Sequence, residues 1–209
     1  MTFKKTPVLL ANGSFPKHEF PLKILKNADN IICLDGAINT LIEKKITPSF
    51  IMGDLDSILP KYRKKFSDII IEMPNQEEND LRKALKWPDG KKISKVFILG
   101  ATGLREDHAI SNIFSILETD CKINAKIITD YGIFQIIRGR EKIKSFKGQP
   151  VSLFTLNKQT KITTSMLKYN LNKNKLMYFY SGSLNQSLSS HFSVEVKKGS
   201  ALLYLAHSK

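Results

Sequence analysis

Five aspartates in the first two-thirds of the chain sit just beyond short apolar runs, where carboxylates can hold a hard cation and, through it, a polyphosphate. Asp35 ends the run Ile31–Leu34, and Asp54 and Asp56 end Phe50–Gly53. Asp80 opens a helix-patterned stretch after Ile69–Ile71, and Asp107 follows Val96–Leu99 across the loop Gly100-Ala101-Thr102-Gly103-Leu104-Arg105-Glu106. In an open parallel sheet the carboxyl ends of the strands border the ligand crevice, so separate segments would deliver carboxylates to one edge. Grouped like charges raise one another's pKa unless a cation offsets them. Mg²⁺ suits that role because it takes carboxylate oxygens and keeps positions for waters and phosphates. Asp54 and Asp56 are two apart, so an extended segment would point both to one side. In the Gly100–Arg105 loop, backbone amides can face phosphate and Arg105 can fork onto its oxygens.

Each feature also has a structural reading. Asp35-Gly36 is a common turn dipeptide, and Asp56-Ser57 can cap the turn before Pro60. Asp80 and Asp107 can simply favour the positive ends of their helices. The glycine loop matches neither GxxxxGK[ST] nor GxGxxG. His108 reads equally as a helix-start residue, and Asn12-Gly13 as a turn or as a backbone approach to a nucleotide. It is the placement of all the aspartates on one edge that favours chemistry.

The elements that would position them alternate. Val8–Ala11, Asn30–Leu34, Phe50–Met52, Ile69–Ile71, Val96–Leu99 and Lys126–Ile128 are short, Ile/Val-rich and bounded by polar residues, as buried parallel strands are. Between them, Ala37–Lys45 puts Ile38, Leu41 and Ile42 on one face. Asn79–Trp87 does the same with Leu81, Ala84 and Leu85, and Asp107–Glu118 with Ile110, Ile113, Phe114 and Leu117. Beyond about Gly139 the candidates are strands only: Pro150–Leu156, Lys161–Leu171, Leu176–Tyr180, His191–Val196 and Ser200–Ala206. The expectation is an α/β domain over residues 1–137, with a mostly parallel sheet flanked by helices, and an all-β sandwich over 138–209.

Composition narrows the class. The 209 residues are 42% hydrophobic, enough for a core and too much for a disordered chain. No window approaches a membrane span, and Met1–Lys5 does not lead into a secretory signal. Cys33 reads as a buried small hydrophobe, and Cys121 has no CxxC spacing. A cytoplasmic protein with no membrane partner is expected. The formal charge of +14 is concentrated late: Lys and Arg number 12 against 2 Asp and Glu from Arg140 onward. Scattered lysines on strand faces make this a generally basic surface that can steer an anionic ligand, and no nucleic-acid partner is expected.

At this point the residues resemble a family. Asp35-Gly36-Ala37-Ile38-Asn39-Thr40-Leu41 and Pro48–Ser57, ending Gly53-Asp54-Leu55-Asp56-Ser57, look like the DGGANxL and PxxxxGDxDS segments of thiamine pyrophosphokinases. Gln76–Leu85 resembles QxxTDxxKAL, and Gly100–His108 with Asn112 resembles GAxGGRxDHxxxN. Leu167–Leu171 and Ser183-Leu184-Asn185 resemble weaker C-terminal segments. The match runs in order along nearly the whole chain. GDxDS followed by RxDH at this separation is a specific pairing.

The resemblance implies transfer of the diphosphate of ATP to the hydroxyl of thiamine, an α/β ATP-binding domain followed by a β-sandwich, and a homodimer with thiamine between domains of different subunits. It implies that Asp54, Asp56 and Asp80 hold Mg²⁺ and the triphosphate, with Arg105 and Asp107 completing the reaction site. Asp35, Asn39, Gln76, Thr102, Arg105 and His108 would lie toward ATP. Tyr169 would stack on thiamine, with Ser183 and Asn185 forming its pocket. Either Asp80 or Asp107 would take the hydroxyl proton. Four positions depart from the family pattern: Ala37 and Leu104 stand in place of glycine, Asn79 of threonine and Met166 of glycine. Competing readings are a pyrophosphokinase for another acceptor such as a hydroxymethylpterin, a basic nucleic-acid-binding protein, and a nucleotide sensor without turnover.

Overall fold

The computed structural model describes residues 6–87, 94–118 and 123–208; Cys121 and Met1–Lys5 lie outside them. The chain separates into two compact units, Met1–Asp130 and Tyr131–Lys209.

In the first unit the strands are β1 (Val8–Leu10), β2 (Ile31–Leu34), β3 (Phe50–Gly53), β4 (Ile70–Glu72), β5 (Lys95–Leu99) and β6 (Asn124–Ile128). All pair in parallel in the order β6-β5-β1-β2-β3-β4. β1 and β2 are buried at every residue while the edge strand β4 is not, so the continuous apolar runs mark strands covered on both faces. The helices are α1 (Glu19–Lys26), α2 (Ala37–Glu43), α3 (Pro60–Lys65), α4 (Asp80–Lys86) and α5 (Glu106–Leu117). The expected face is buried on α4 at Leu81, Ala84 and Leu85 and on α2 at Ile38 and Leu41, with Ile42 half-buried, whereas α5 buries Leu117 with Ser115 and Ile116 and leaves Ile113 and Phe114 half-buried. Ile110, expected inside, is exposed. Helices α1 and α3 have no counterpart in the sequence reading; α3 is all basic and polar after its proline and buries no side chain, so no apolar period marks it.

The strand order reverses between β1 and β5, the switch point where open α/β sheets form a crevice at their carboxyl ends. There the loops after the two strands bond to each other: the amides of Ala11, Gly13 and Ser14 donate to the carbonyls of Leu99, Gly100 and Thr102 at 2.9, 2.8 and 2.9 Å. Gly13 is required by this approach, since a Cβ would stand 2.4 Å from the Gly100 oxygen.

In the second unit β7 (Gly132–Lys144) pairs antiparallel with β12 (His191–Ala206) along nearly its whole length. The boundary expected at 137/138 falls within β7. The two strands expected at His191–Val196 and Ser200–Ala206 are one, with a register shift between Val196 and Ala201. That bulge lets β12 serve two partners on its other edge: β9 (Lys161–Ser165) along Ser193–Lys197 and β8 (Pro150–Phe154) along Leu202–Leu205. Short strands β10 (Asn174–Lys175) and β11 (Asn185–Gln186) add to β9 and β8. The core is Ile137, Val151, Leu153, Ile162, Phe192, Val194 and Leu203 with their neighbours. Two expected strands are corrected. Of Lys161–Leu171 only Lys161–Ser165 is strand β9, and Met166 turns the chain at φ +62°. Leu176–Tyr180 is no strand: only Leu176 is buried, and Phe179–Gly182 forms a 3₁₀ turn with its aromatic side chains outward.

Candidate active site

The carboxylates converge at the ends of β2 and β3. Asp35 follows β2 directly; its amide donates to the Met52 carbonyl at 2.7 Å, and it sits in the left-handed region at φ +46°. Gly53 lies beside it at φ +145°, where a Cβ would come within 3.1 Å of the Asp35 Cβ. Asp54 and Asp56 do not share a side by extension. Leu55 between them is left-handed, at φ +69°, and buried. Such a backbone costs a leucine about 1–2 kcal/mol, so the buried side chain pins a turn that brings both carboxylates together. The Asp56 amide donates to Asp54 Oδ1 at 3.4 Å and the Ser57 amide to Asp35 Oδ1 at 3.3 Å. One oxygen from each of Asp35, Asp54 and Asp56 lies within 4.8 Å of the others. Hard oxygen ligands at such spacing fit Mg²⁺.

Asp80 stands apart from that trio. It begins α4 next to Asn79, whose side-chain oxygen caps the helix by accepting from the Arg82 amide at 2.9 Å. Lys83, one turn on and buried, puts Nζ 2.6 Å from Asp80 Oδ1 and donates to the Met73 carbonyl at 3.0 Å. The Lys83–Asp80 contact is an ion pair without hydrogen-bonding alignment, so the buried Oδ1 has charge compensation but no aligned donor. Burial raises the Asp80 pKa, the Lys83 contact opposes this, and the charges of Asp54 and Asp35 add to it. Asp54 is held below the usual carboxylate range, chiefly by the Gln76 amide donating at 3.1 Å, against some burial.

Arg105 and Asp107 form a fork, with Nε to Oδ1 at 3.1 Å and Nη2 to Oδ2 at 2.6 Å. The guanidinium depresses the Asp107 pKa to about 2. Both side chains are exposed. A cavity of about 760 Å³ is lined by Asp35, Asp54, Asp56, Gln76, Asp80 and Arg105, and also by His108. Asn39, Thr102 and Asp107 are not among its lining residues. Asn39 instead holds the 54–59 loop, donating to the Ser57 carbonyl at 2.9 Å and accepting from the Leu59 amide at 3.1 Å. Sequence reasoning gave no role to Lys83, though its i, i+3 spacing from Asp80 within a buried helix face was the available signal. Leu104 lines the cavity at φ +61°, its side chain exposed.

In the second unit Tyr169 is exposed, with Lys168 Nζ 5.4 Å from its ring centroid. Ser183 donates through its hydroxyl to the Tyr180 carbonyl at 2.7 Å. Asn185 is buried, its amide group bound to the backbone of Tyr169.

A parallel α/β sheet that presents a carboxylate trio beyond β2 and β3, and a glycine loop and guanidinium beyond β5, around one cavity has the architecture of proteins that handle metal-bound polyphosphates. The comparisons with known proteins narrow that class. The family model for the thiamin pyrophosphokinase catalytic domain matches residues 22–129, and that for the thiamin pyrophosphokinase substrate-binding domain matches residues 132–204. The chain is 27% identical over 206 residues to thiamine pyrophosphokinase 2 of Oryza sativa subsp. japonica, covering 84% of this chain and 76% of that protein. It is 32% identical over 100 residues to thiamine pyrophosphokinase of Bacillus subtilis, 46% of each. The crystal structure of the Bacillus subtilis enzyme superposes with a TM-score of 0.76 at 22% identity, over 98% of this chain and 100% of that one. The thiamin pyrophosphokinase of Candida albicans gives 0.77 at 20%, over 98% and 90%. The chain belongs to the thiamin pyrophosphokinase family.

Proposed function

We propose that this chain transfers the diphosphate of ATP to the hydroxyl of thiamine, releasing AMP, with Mg²⁺ held by Asp35, Asp54 and Asp56. The observation that carries this reading is the convergence of those three carboxylates on one cavity at the strand ends. When bound, Mg²⁺ neutralises charge on the phosphate oxygens. The rest falls to the chain's own side chains. Phosphoryl transfer needs positioning and charge stabilisation more than covalent help. Gln76 orients the Asp54 carboxylate, and the Arg105 guanidinium, steadied by Asp107, faces phosphate oxygens. Asp80 takes the hydroxyl proton at Oδ2, the oxygen Lys83 does not occupy. Its raised pKa makes it a better base than Asp107, which holds a proton only near pH 2. His108 and Thr102 lie in or beside the same loop and helix start, toward ATP.

On the thiamine side Tyr169 stacks on the cationic ring through its exposed π face, with the Ser183 hydroxyl beside it. A homodimer is part of this reading: Met177, Tyr178, Tyr180 and Leu184 are all more than half exposed and offer apolar surface to a second copy. No helix among the described residues is long and apolar enough to cross a membrane, and we place the reaction in the cytoplasm. The test is product analysis with ATP and Mg²⁺. AMP and thiamine diphosphate should appear in equal amounts, and only when thiamine is present. Product with a hydroxymethylpterin and none with thiamine would reject the substrate assignment.

A further inference from the structure

The segments 166–169 and 185–188 run antiparallel beside each other in the second unit. The Leu188 amide donates to the Met166 carbonyl at 2.9 Å and the Lys168 amide to the Gln186 carbonyl at 2.8 Å, with Leu167 bridging to Ser187. The next rung is made by a side chain. Asn185 Nδ2 donates to the Tyr169 carbonyl at 2.7 Å, and the Tyr169 amide donates to Asn185 Oδ1 at 3.0 Å. A carboxamide has the donor and acceptor of a peptide group, so the side chain stands in for one more residue of ladder. Its own orientation is fixed twice over. The Gln186 amide also donates to Oδ1 at 2.8 Å, and the residue is 9% exposed. On the other side of Tyr169 the turn is closed by Asn170, whose Oδ1 accepts from the Leu167 amide at 3.2 Å. Tyr169 itself, at the tip, is 60% exposed. An exposed ring has little packing to fix it, so its direction depends on the backbone that carries it.

We infer that Asn185 is a positioning residue that acts on thiamine binding through Tyr169 and does not itself contact the substrate. The inference rests on the reading that Tyr169 stacks on thiamine. Both polar ends of the amide are already engaged with main chain, which leaves no free acceptor aimed at a ligand and at most one N–H. Loss of the rung frees the tip, and an ordered ring becomes one that must be ordered at the moment of binding. Aspartate cannot substitute. It keeps the acceptor but sets a second oxygen against the Tyr169 carbonyl.

The experiment is a double-mutant cycle with Asn185→Ala and Tyr169→Ala, reading KM for thiamine and for ATP together with kcat. Asn185→Ala should raise the thiamine KM about tenfold, the effect of losing roughly one buried hydrogen-bonded contact, with less than about a twofold change in the ATP KM. In the Tyr169→Ala background the same substitution should change the thiamine KM less than about twofold. Amide hydrogen exchange at Tyr169 should quicken at least about tenfold in Asn185→Ala, a readout independent of substrate. Asn185→Asp supplies the same comparison should the alanine variant fold poorly. Additive effects in the cycle, or unchanged Tyr169 exchange, would overturn the inference and leave the stacking reading intact. A Tyr169→Ala variant with unchanged thiamine KM would instead remove the stacking reading, and this inference with it.

Discussion

Asn79 does two jobs that the threonine usual at this position in the family cannot do together. Its Oδ1 caps α4 at the Arg82 amide, while Nδ2 reaches α5, donating to Ser111 Oγ at 3.0 Å and Ser115 Oγ at 2.8 Å. The cap is worth about 1 kcal/mol. Each hydrogen bond to α5 is worth about 0.5–1.5 kcal/mol, with exposed Ser111 at the low end and buried Ser115 near the top. Asn79→Ala should therefore destabilise the first unit by about 2–3 kcal/mol, summing these contributions. Asn79→Thr keeps a capping hydroxyl but is too short to reach α5, and should cost about 1–2 kcal/mol. Ser115→Ala should account for most of that difference, and adding it to Asn79→Thr should cost little more. Urea unfolding followed by far-ultraviolet circular dichroism reads all four chains. Because α4 begins at Asp80 and α5 at Glu106, the Thr variant should also lose turnover before it unfolds. An Asn79→Thr chain as stable as the parent would refute the clamp.

Three further outcomes follow from the site. Asp54→Asn should cut turnover about 10²-fold or more with unchanged circular dichroism; near-parental activity would remove Asp54 from the metal set. Lys83→Met strands the partly buried Asp80 carboxylate and should cost about 2–3 kcal/mol, below the range for a fully buried pair because Asp80 is 27% exposed. Adding Asp80→Asn should restore most of that stability in urea titrations while leaving the enzyme inactive; no recovery in the double variant would count against the pair. Asp107 has a depressed pKa, so its charged form is favoured above the ordinary carboxylate value and lost only as pH falls through about 2. Arg105→Gln should move its titration, followed by carboxyl NMR, up toward about 3.9, and a titration that stays near its starting value would show that Arg105 is not the cause.

The strands of the first unit were legible because most are short buried runs between polar stops, and the same stops carry the aspartates. Burial on both faces leaves one reading for Val8–Leu10 or Ile31–Leu34. Helix α3 was not legible, since Pro60–Lys65 lies on the surface and carries no apolar period. In the second unit Leu176–Tyr180 looked like a strand because it is apolar and aromatic, yet its aromatics face outward. Composition alone does not distinguish a buried strand from an exposed aromatic turn. Within the site, residue types were readable and their geometry was not. Extension predicted that Asp54 and Asp56 align, whereas a left-handed Leu55 brings them together, and Asp35 lies within reach of both. Lys83 was announced only by its i, i+3 spacing from Asp80, whereas the Asn185–Tyr169 rung joins residues sixteen apart that no local spacing connects.

In the proposed reaction a diphosphate moves intact from ATP to thiamine. This transfer is tested most directly by following [γ-³²P]ATP with Mg²⁺ and thiamine to products. Label is expected in thiamine diphosphate, with unlabelled AMP in equal amount and no labelled monophosphate ester at any time. Label in inorganic phosphate or in thiamine monophosphate, with ADP as the other product, would contradict this transfer.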